Sequence, residues 1–175
     1  MLDFIADRAI YDRVICTAIP KARRFVWIAT ADIKDLHVGK SGRMVPFLET
    51  LSDLAARRVE IRLLHAKEPG PAFRRDFDKY PNLLTGLERI LCPRVHFKSV
   101  VVDATFAYTG SANLTGAGMG AKSEHRRNFE SAIITDQPKI VDKVMEQFDT
   151  VWRGDHCGRC QRKQYCADYK DVHPR

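Results

Sequence analysis

Apolar positions along the chain switch between two periods, and the switches mark out alternating helices and strands. Residues 3–18 place Ile5, Ala9, Ile10, Val14 and Ala18 on one side at helical spacing, with Pro20 just beyond, and predict a first helix. "RFVWIATADI" (24–33), aromatic and β-branched, predicts a buried strand. "MVPFLETLSDLAARR" (44–58) carries Val45, Leu48, Leu51 and Ala55 at helical spacing, whereas "VEIRLLHA" (59–66) alternates Val59, Ile61 and Leu63 as a strand does. "EPGP" (68–71) breaks the chain, and a helix is expected over "AFRRDFDKY", followed by "PNLLTGLERILCPRV". "HFKSVVVD" and "TFAYTGS" read as two strands joined by a turn, and "FESAIIT" as another strand after a loop rich in Gly and basic residues (116–127). The helix over 138–153 opens on Pro138 and carries Val141, Val144, Met145, Phe148, Val151 and Trp152 as one core-facing stripe. The alternation predicts an α/β fold, a mixed sheet flanked by helices over residues 1–153, with residues 154–175 as a Cys-rich appendix.

Composition narrows this. The chain has 175 residues, enough for one domain with a real core, and 45% hydrophobic with 29% charged residues is ordinary globular material. A formal net charge of +7 favours a polyanionic partner, nucleic acid before an anionic membrane surface. No apolar run is long enough for a spanning helix, and the charged N-terminus is unlike a secretory signal, so a cytoplasmic protein is expected. Five Cys, three of them crowded near the C-terminus, make a poor disulfide framework and a plausible metal site in a reducing compartment.

The chemistry concentrates in "HFKSVVVDATFAYTGSAN" (96–113). On a strand, His96 and Lys98 share one face, and Asp103 points to the other. A hairpin would bring Ser111 and Asn113 back beside His96 and Lys98, with Gly110 allowing the backbone to turn tightly and approach a ligand. One ammonium, two neutral donors and an imidazole suit a phosphate group, with His as nucleophile or acid.

His96-x-Lys98, four residues, Asp103, six residues, Gly110-Ser111-x-Asn113 resembles the HKD motif of the phospholipase D superfamily at every spacing. The strand and helix order over residues 1–153 is similar to one half of that fold. The resemblance implies that His96 attacks phosphorus to give a phosphohistidine, that Lys98 and Asn113 bind the non-bridging oxygens with Ser111 in support, and that Asp103 is structural. It also implies a Glu on the next strand that orients the His, for which Glu130 is the match. Only one such motif is present, whereas the chemistry needs two His, one to attack and one to protonate the leaving oxygen. A homodimer with a composite site and no catalytic metal is therefore expected, as in the superfamily's small nucleases.

The motif does not choose between nucleic acid and lipid. Basic residues do: Lys122, Arg126 and Arg127 lie in the loop directly after it, placed to bind phosphates flanking the scissile one. That loop offers a lipid only Leu114 and Met119. The expected activity is a metal-independent endonuclease. The alternatives are a phospholipase D or cardiolipin-type lipid hydrolase, and an idle nucleic-acid binder.

The tail carries Cys157-x2-Cys160-x5-Cys166. Three thiolates need a fourth ligand: His173 or His156 would complete a structural zinc site. The spacing also resembles iron–sulfur sites appended to some nucleases, which would draw in Cys16 or Cys92. Outside that case, Cys16 and Cys92 are expected to be buried and inert.

Overall fold

The computed structural model describes residues 1–34 and 36–169. A seven-stranded sheet forms the frame, in the order β1 (Leu2–Ala6), β9 (Ser131–Thr135), β8 (Phe106–Gly110), β7 (Lys98–Val102), β2 (Phe25–Thr30), β5 (Glu60–His65) and β6 (Leu87–Leu91). Pairings are parallel across β2, β5 and β6 and antiparallel elsewhere, so the mixed sheet expected from the sequence is present. Its helices are α1 (Arg8–Ile10, continued in wider π-type turns over Tyr11–Ala18), α2 (Phe47–Ala56), α3 (Pro71–Phe77), α4 (Leu83–Gly86) and α5 (Pro138–Trp152).

The core lies on both faces of the sheet. On one face Val26, Ile28, Ile61, Leu63, Val100, Tyr108 and Ile134 pack with Ile10, Val14 and Ile15 of the first helix and Leu48, Leu51 and Leu54 of α2. The other is covered by α5, whose predicted stripe behaves as expected. Val141 and Val144 close over Val101 and Ala107, and Phe148 packs on Ala29 and Leu64. Phe148 also stacks on Trp27 and Trp152, between whose rings the Arg62 guanidinium is held.

Three stretches differ from the sequence expectation. Residues 3–6 are strand, not helix: their apolar positions also fit period two, and pairing Leu2–Ala6 with Thr135–Ser131 satisfies the backbone of the sheet edge. Asp7, at a positive φ of 48°, turns the chain into α1. Residues 43–46 are strand β4, paired with β3 (His37–Lys40) through Ser41 and Gly42, both at positive φ, and Pro46 delays the start of α2 to Phe47. "LERIL", which had no strand reading, becomes β6 beside β5, and Leu87 and Leu91 bury its inward side. Cys16 is exposed and Cys92 half-buried, contrary to the burial expected of both.

Asp103 ties the motif's hairpin to the sheet. It and Ala104 adopt left-handed conformations, and Thr105 N–H closes the turn on Val102 C=O at 3.0 Å, the twist that suits a tight hairpin. The carboxylate accepts the backbone N–H groups of Arg23, Arg24 and Phe25 at 2.8–2.9 Å, pinning the start of β2. Burial pushes its pKa up, but these three donors outweigh that and hold it below the ordinary carboxylate range. A depressed folded pKa contributes stability above the unfolded value and loses it as pH falls through the folded one. Asp103→Asn, which keeps one acceptor and tolerates the left-handed backbone, should cost about 1 kcal/mol at neutral pH. In urea unfolding, that difference should shrink as the pH drops below the ordinary carboxylate range; a constant difference down to low pH would refute the charged role.

Candidate active site

Because β7 and β8 run antiparallel to their neighbours, the start of β7, the end of β8 and the C-terminal end of β2 meet along one edge of the sheet. His96 stands just before β7 with its side chain exposed. Lys98, the first residue of β7, is 7% exposed despite its charge. Its Nζ donates to the His96 carbonyl at 2.6 Å and lies 3.4 Å from His96 Nδ1. The ammonium thus stands beside the imidazole, although the strand begins only at Lys98 and His96 lies just outside it.

Asn113 is oriented by its oxygen. Its Oδ1 accepts the N–H groups of Ala31 and Asp32, both at 3.2 Å, with the Thr30 hydroxyl at 3.4 Å. Donors around Oδ1 settle which end of the amide is which, so Nδ2 is the end left to donate to a ligand. The Thr30 hydroxyl accepts Leu114 N–H at 2.9 Å, and its single proton goes to Asp32 C=O at 2.8 Å rather than to the more distant Asn113 Oδ1. Sequence reasoning missed Thr30 at the end of β2 and the Ala31 and Asp32 that follow it. The polar "TAD" closing an apolar strand was the available signal, since a buried polar strand end needs partners.

Gly110 pairs with Lys98 across the hairpin. A Cβ there would stand 2.6 Å from Ala132 Cβ and 2.7 Å from Ser131 C=O, so the close approach of β8 to β9 demands glycine. Ser111 donates its hydroxyl proton to the Glu130 carboxylate and accepts Ser131 N–H at 3.1 Å. The second Glu130 oxygen takes the Asn128 amide at 3.1 Å. Among the described residues, the structure therefore brings Glu130 to Ser111 and Asn128, with no hydrogen bond from Glu130 to His96. Asp7 was not foreseen here: its carboxylate accepts Glu130 N–H at 2.8 Å, and its own N–H donates to Glu130 C=O at 2.9 Å.

The loop from Leu114 to Phe129 has both ends at this edge, one after Asn113 and one before Glu130. Internal bonds such as Lys122 N–H to Gly116 C=O and Asn128 N–H to Ala117 C=O fold it back on itself. Lys122 and Arg126 are exposed and border one hollow of about 330 Å³, with Arg127 half-buried nearby in sequence. Arg23 and Arg24 belong to the opposite end of the hairpin, at Asp103.

In the tail, Cys157, Cys160 and Cys166 are half-buried and the described part ends before His173, so that expected ligand lies outside the described residues. Among the described residues, no group of three or more His, Cys, Asp or Glu stands ready to hold a metal ion. Nor is any helix among them long and apolar enough to cross a membrane.

A family model described as "Cardiolipin synthase, PLD-like domain" matches residues 15–152. No curated protein matches the chain. Among solved structures, Nuc from Salmonella typhimurium, a phospholipase D family member, superposes with a TM-score of 0.64 at 17% identity, over 87% of this chain and 94% of its own. NucT from Helicobacter pylori gives 0.62 at 15% identity, over 87% and 97%. TrmBL2, an archaeal chromatin protein with a described mode of DNA binding, gives 0.58 at 11% identity, over 87% of this chain and 52% of its own.

Proposed function

The chain belongs to the cardiolipin synthase PLD-like domain family, and from that premise we propose that it is a metal-independent endonuclease acting through a phosphohistidine at a site shared by two copies of the chain. The observation that carries this reading is the convergence of exposed His96, buried Lys98 and the oriented Asn113 amide on one sheet edge. An imidazole nitrogen of His96 attacks phosphorus, a P–N bond forms and the P–O bond to the leaving group breaks. His96 of a second copy gives its proton to the leaving oxygen. That imidazole, now neutral, takes a proton from water, whose oxygen displaces His96 from phosphorus. Lys98 and Asn113 Nδ2 balance charge on the non-bridging oxygens, and their fixed positions mean little reorganisation as that charge develops. Asp7, Ser111 and Asn128 hold Glu130 beside the motif's turn as positioning residues.

Nucleic acid is the substrate that suits the surroundings. The +7 charge and the loop bearing Lys122, Arg126 and Arg127 provide cations for a run of phosphates on both sides of the scissile one, which a phospholipid with one or two phosphates does not present. The test is EDTA-treated protein against single- and double-stranded DNA, RNA and anionic phospholipid vesicles. Cleavage of nucleic acid should persist without metal, and its binding should weaken steeply with salt. Replacing Arg126 and Arg127 together by Ala should reduce the magnitude of the log–log salt slope by roughly 2 for each copy that contacts duplex DNA. The Michaelis constant should rise while kcat changes less. Salt-insensitive hydrolysis of vesicles with no action on DNA or RNA would replace this reading with the lipid hydrolase.

A further inference from the structure

Four of the five thiols surround one cavity. It measures about 260 Å³, and Cys92, Cys157, Cys160 and Cys166 all line it, together with Arg94 and His156. Three of the four belong to the tail; Cys92 follows directly after β6, 65 positions before Cys157. Cys16, in the first helix, is not among the lining residues. The tail is seated against the same strand by its own bonds: Leu91 N–H donates to Asp168 at 2.7 Å, and the Cys166 thiol reaches Leu91 C=O at 3.5 Å.

We propose that Cys92, Cys157, Cys160 and Cys166 together form a four-thiolate metal site that fastens the tail to the end of β6. It is independent of the phosphodiesterase reading. Cys92 is assigned as the fourth ligand over His156 on two grounds. All four thiols are half-buried around the hollow, whereas His156 is exposed. His156 also adjoins Cys157, and neighbouring residues rarely turn both side chains onto one ion without backbone strain. Cys92, tied to the end of the sheet by its N–H bond to His65 C=O at 2.8 Å, by contrast gives the tail an anchor. The four thiols line the cavity without being gathered closely enough to hold an ion as they stand; the chain after α5 is built of turns and one short helical turn at Lys163–Tyr165, so they can close on a guest at little cost in secondary structure. Metal binding and ligand ordering are coupled in such sites.

The guest is a thiophilic metal centre: a zinc ion with all four sulfurs at about 2.3 Å, or an iron–sulfur cluster taking four thiolates at wider separation. Either leaves a net negative charge that Arg94 at the cavity wall offsets. The segment Cys92–Phe97 links this cavity directly to His96, and Val95 and Phe97 also line it. The centre therefore braces the loop that presents His96.

The experiment uses the full chain, purified without added metal under air and anaerobically, with zinc, iron and acid-labile sulfide measured per chain. About one zinc per chain, or iron and sulfide in equal amounts with a brown colour, supports the site and identifies the guest. Cys92→Ser and Cys157→Ser should each lose the metal, while Cys16→Ser keeps it. Alkylation of the unmodified protein gives a second reading that does not depend on variants folding. Native protein should be labelled at Cys16 alone, and all five thiols should react after chelation. Hydrogen exchange should then accelerate over residues 92–97 and 154–169. Protein without zinc or iron under both preparations, a Cys92→Ser variant with full metal content, or labelling of Cys92 in metal-loaded native protein would overturn the proposal.

Discussion

On the proposed composite site, His96→Ala is expected to reduce phosphodiester hydrolysis on the order of 10⁴-fold or more, because it would remove the nucleophile and the proton donor together. In a composite site both functions come from the same position of the two chains, so one substitution deletes two steps. The fold should survive. His96 is exposed, precedes β7 and contributes no side chain to the core, so the urea midpoint should stay within error of the parent. Lys98→Ala is the less clean variant, since it also removes the bond from Nζ to the His96 carbonyl that shapes the loop. A brief incubation with phosphorus-labelled substrate followed by a denaturing quench should leave label on the parent chain and none on His96→Ala. Retention of a tenth of the parent rate by a folded His96→Ala protein would remove His96 from the chemistry.

The parts legible in the sequence are those where a short-range pattern and its tertiary environment agree. Strand parity placed His96 with Lys98 and set Asp103 apart. The structure uses the first pair as one polar group and the last as the tie to β2. The stripe of α5 was legible because fifteen residues of period 3.6 leave little ambiguity. The failures share a cause. Residues 3–6 and 43–46 are short, satisfy both periods, and become strands because a partner edge is present, which is not written in the segment itself. The polar partners of Asn113 and Glu130 were invisible for a related reason. Asp7 lies 123 positions from Glu130, and Ala31 lies 82 from Asn113, so only the folded sheet brings them together. Asp7 at φ 48° is the sharpest instance, a non-glycine residue at positive φ that both opens α1 and bonds Glu130.

The proposed composite site predicts a dimer whose activity is not divisible between chains. Light scattering should give a mass near twice 20.0 kDa. Phe129 is the side chain best placed to report the contact. It is 95% exposed, next to Glu130 and to the site's own edge, a costly position for an aromatic ring in a lone chain. If a second copy covers it, the two-fold axis buries it twice, contributing about 3–6 kcal/mol. Phe129→Asp should therefore weaken association roughly 10²-fold or more and lower activity with it, at unchanged urea midpoint for the isolated chain. Mixing provides the stricter test. Equal amounts of parent and His96→Ala chains, allowed to exchange, should retain roughly a quarter of the activity of the same total amount of parent, because only parent–parent dimers carry both imidazoles. Independent sites would give roughly a half. A monomer with full specific activity, or a mixture at the half-way value after complete exchange, would show that each chain works alone and would require a second proton donor within it.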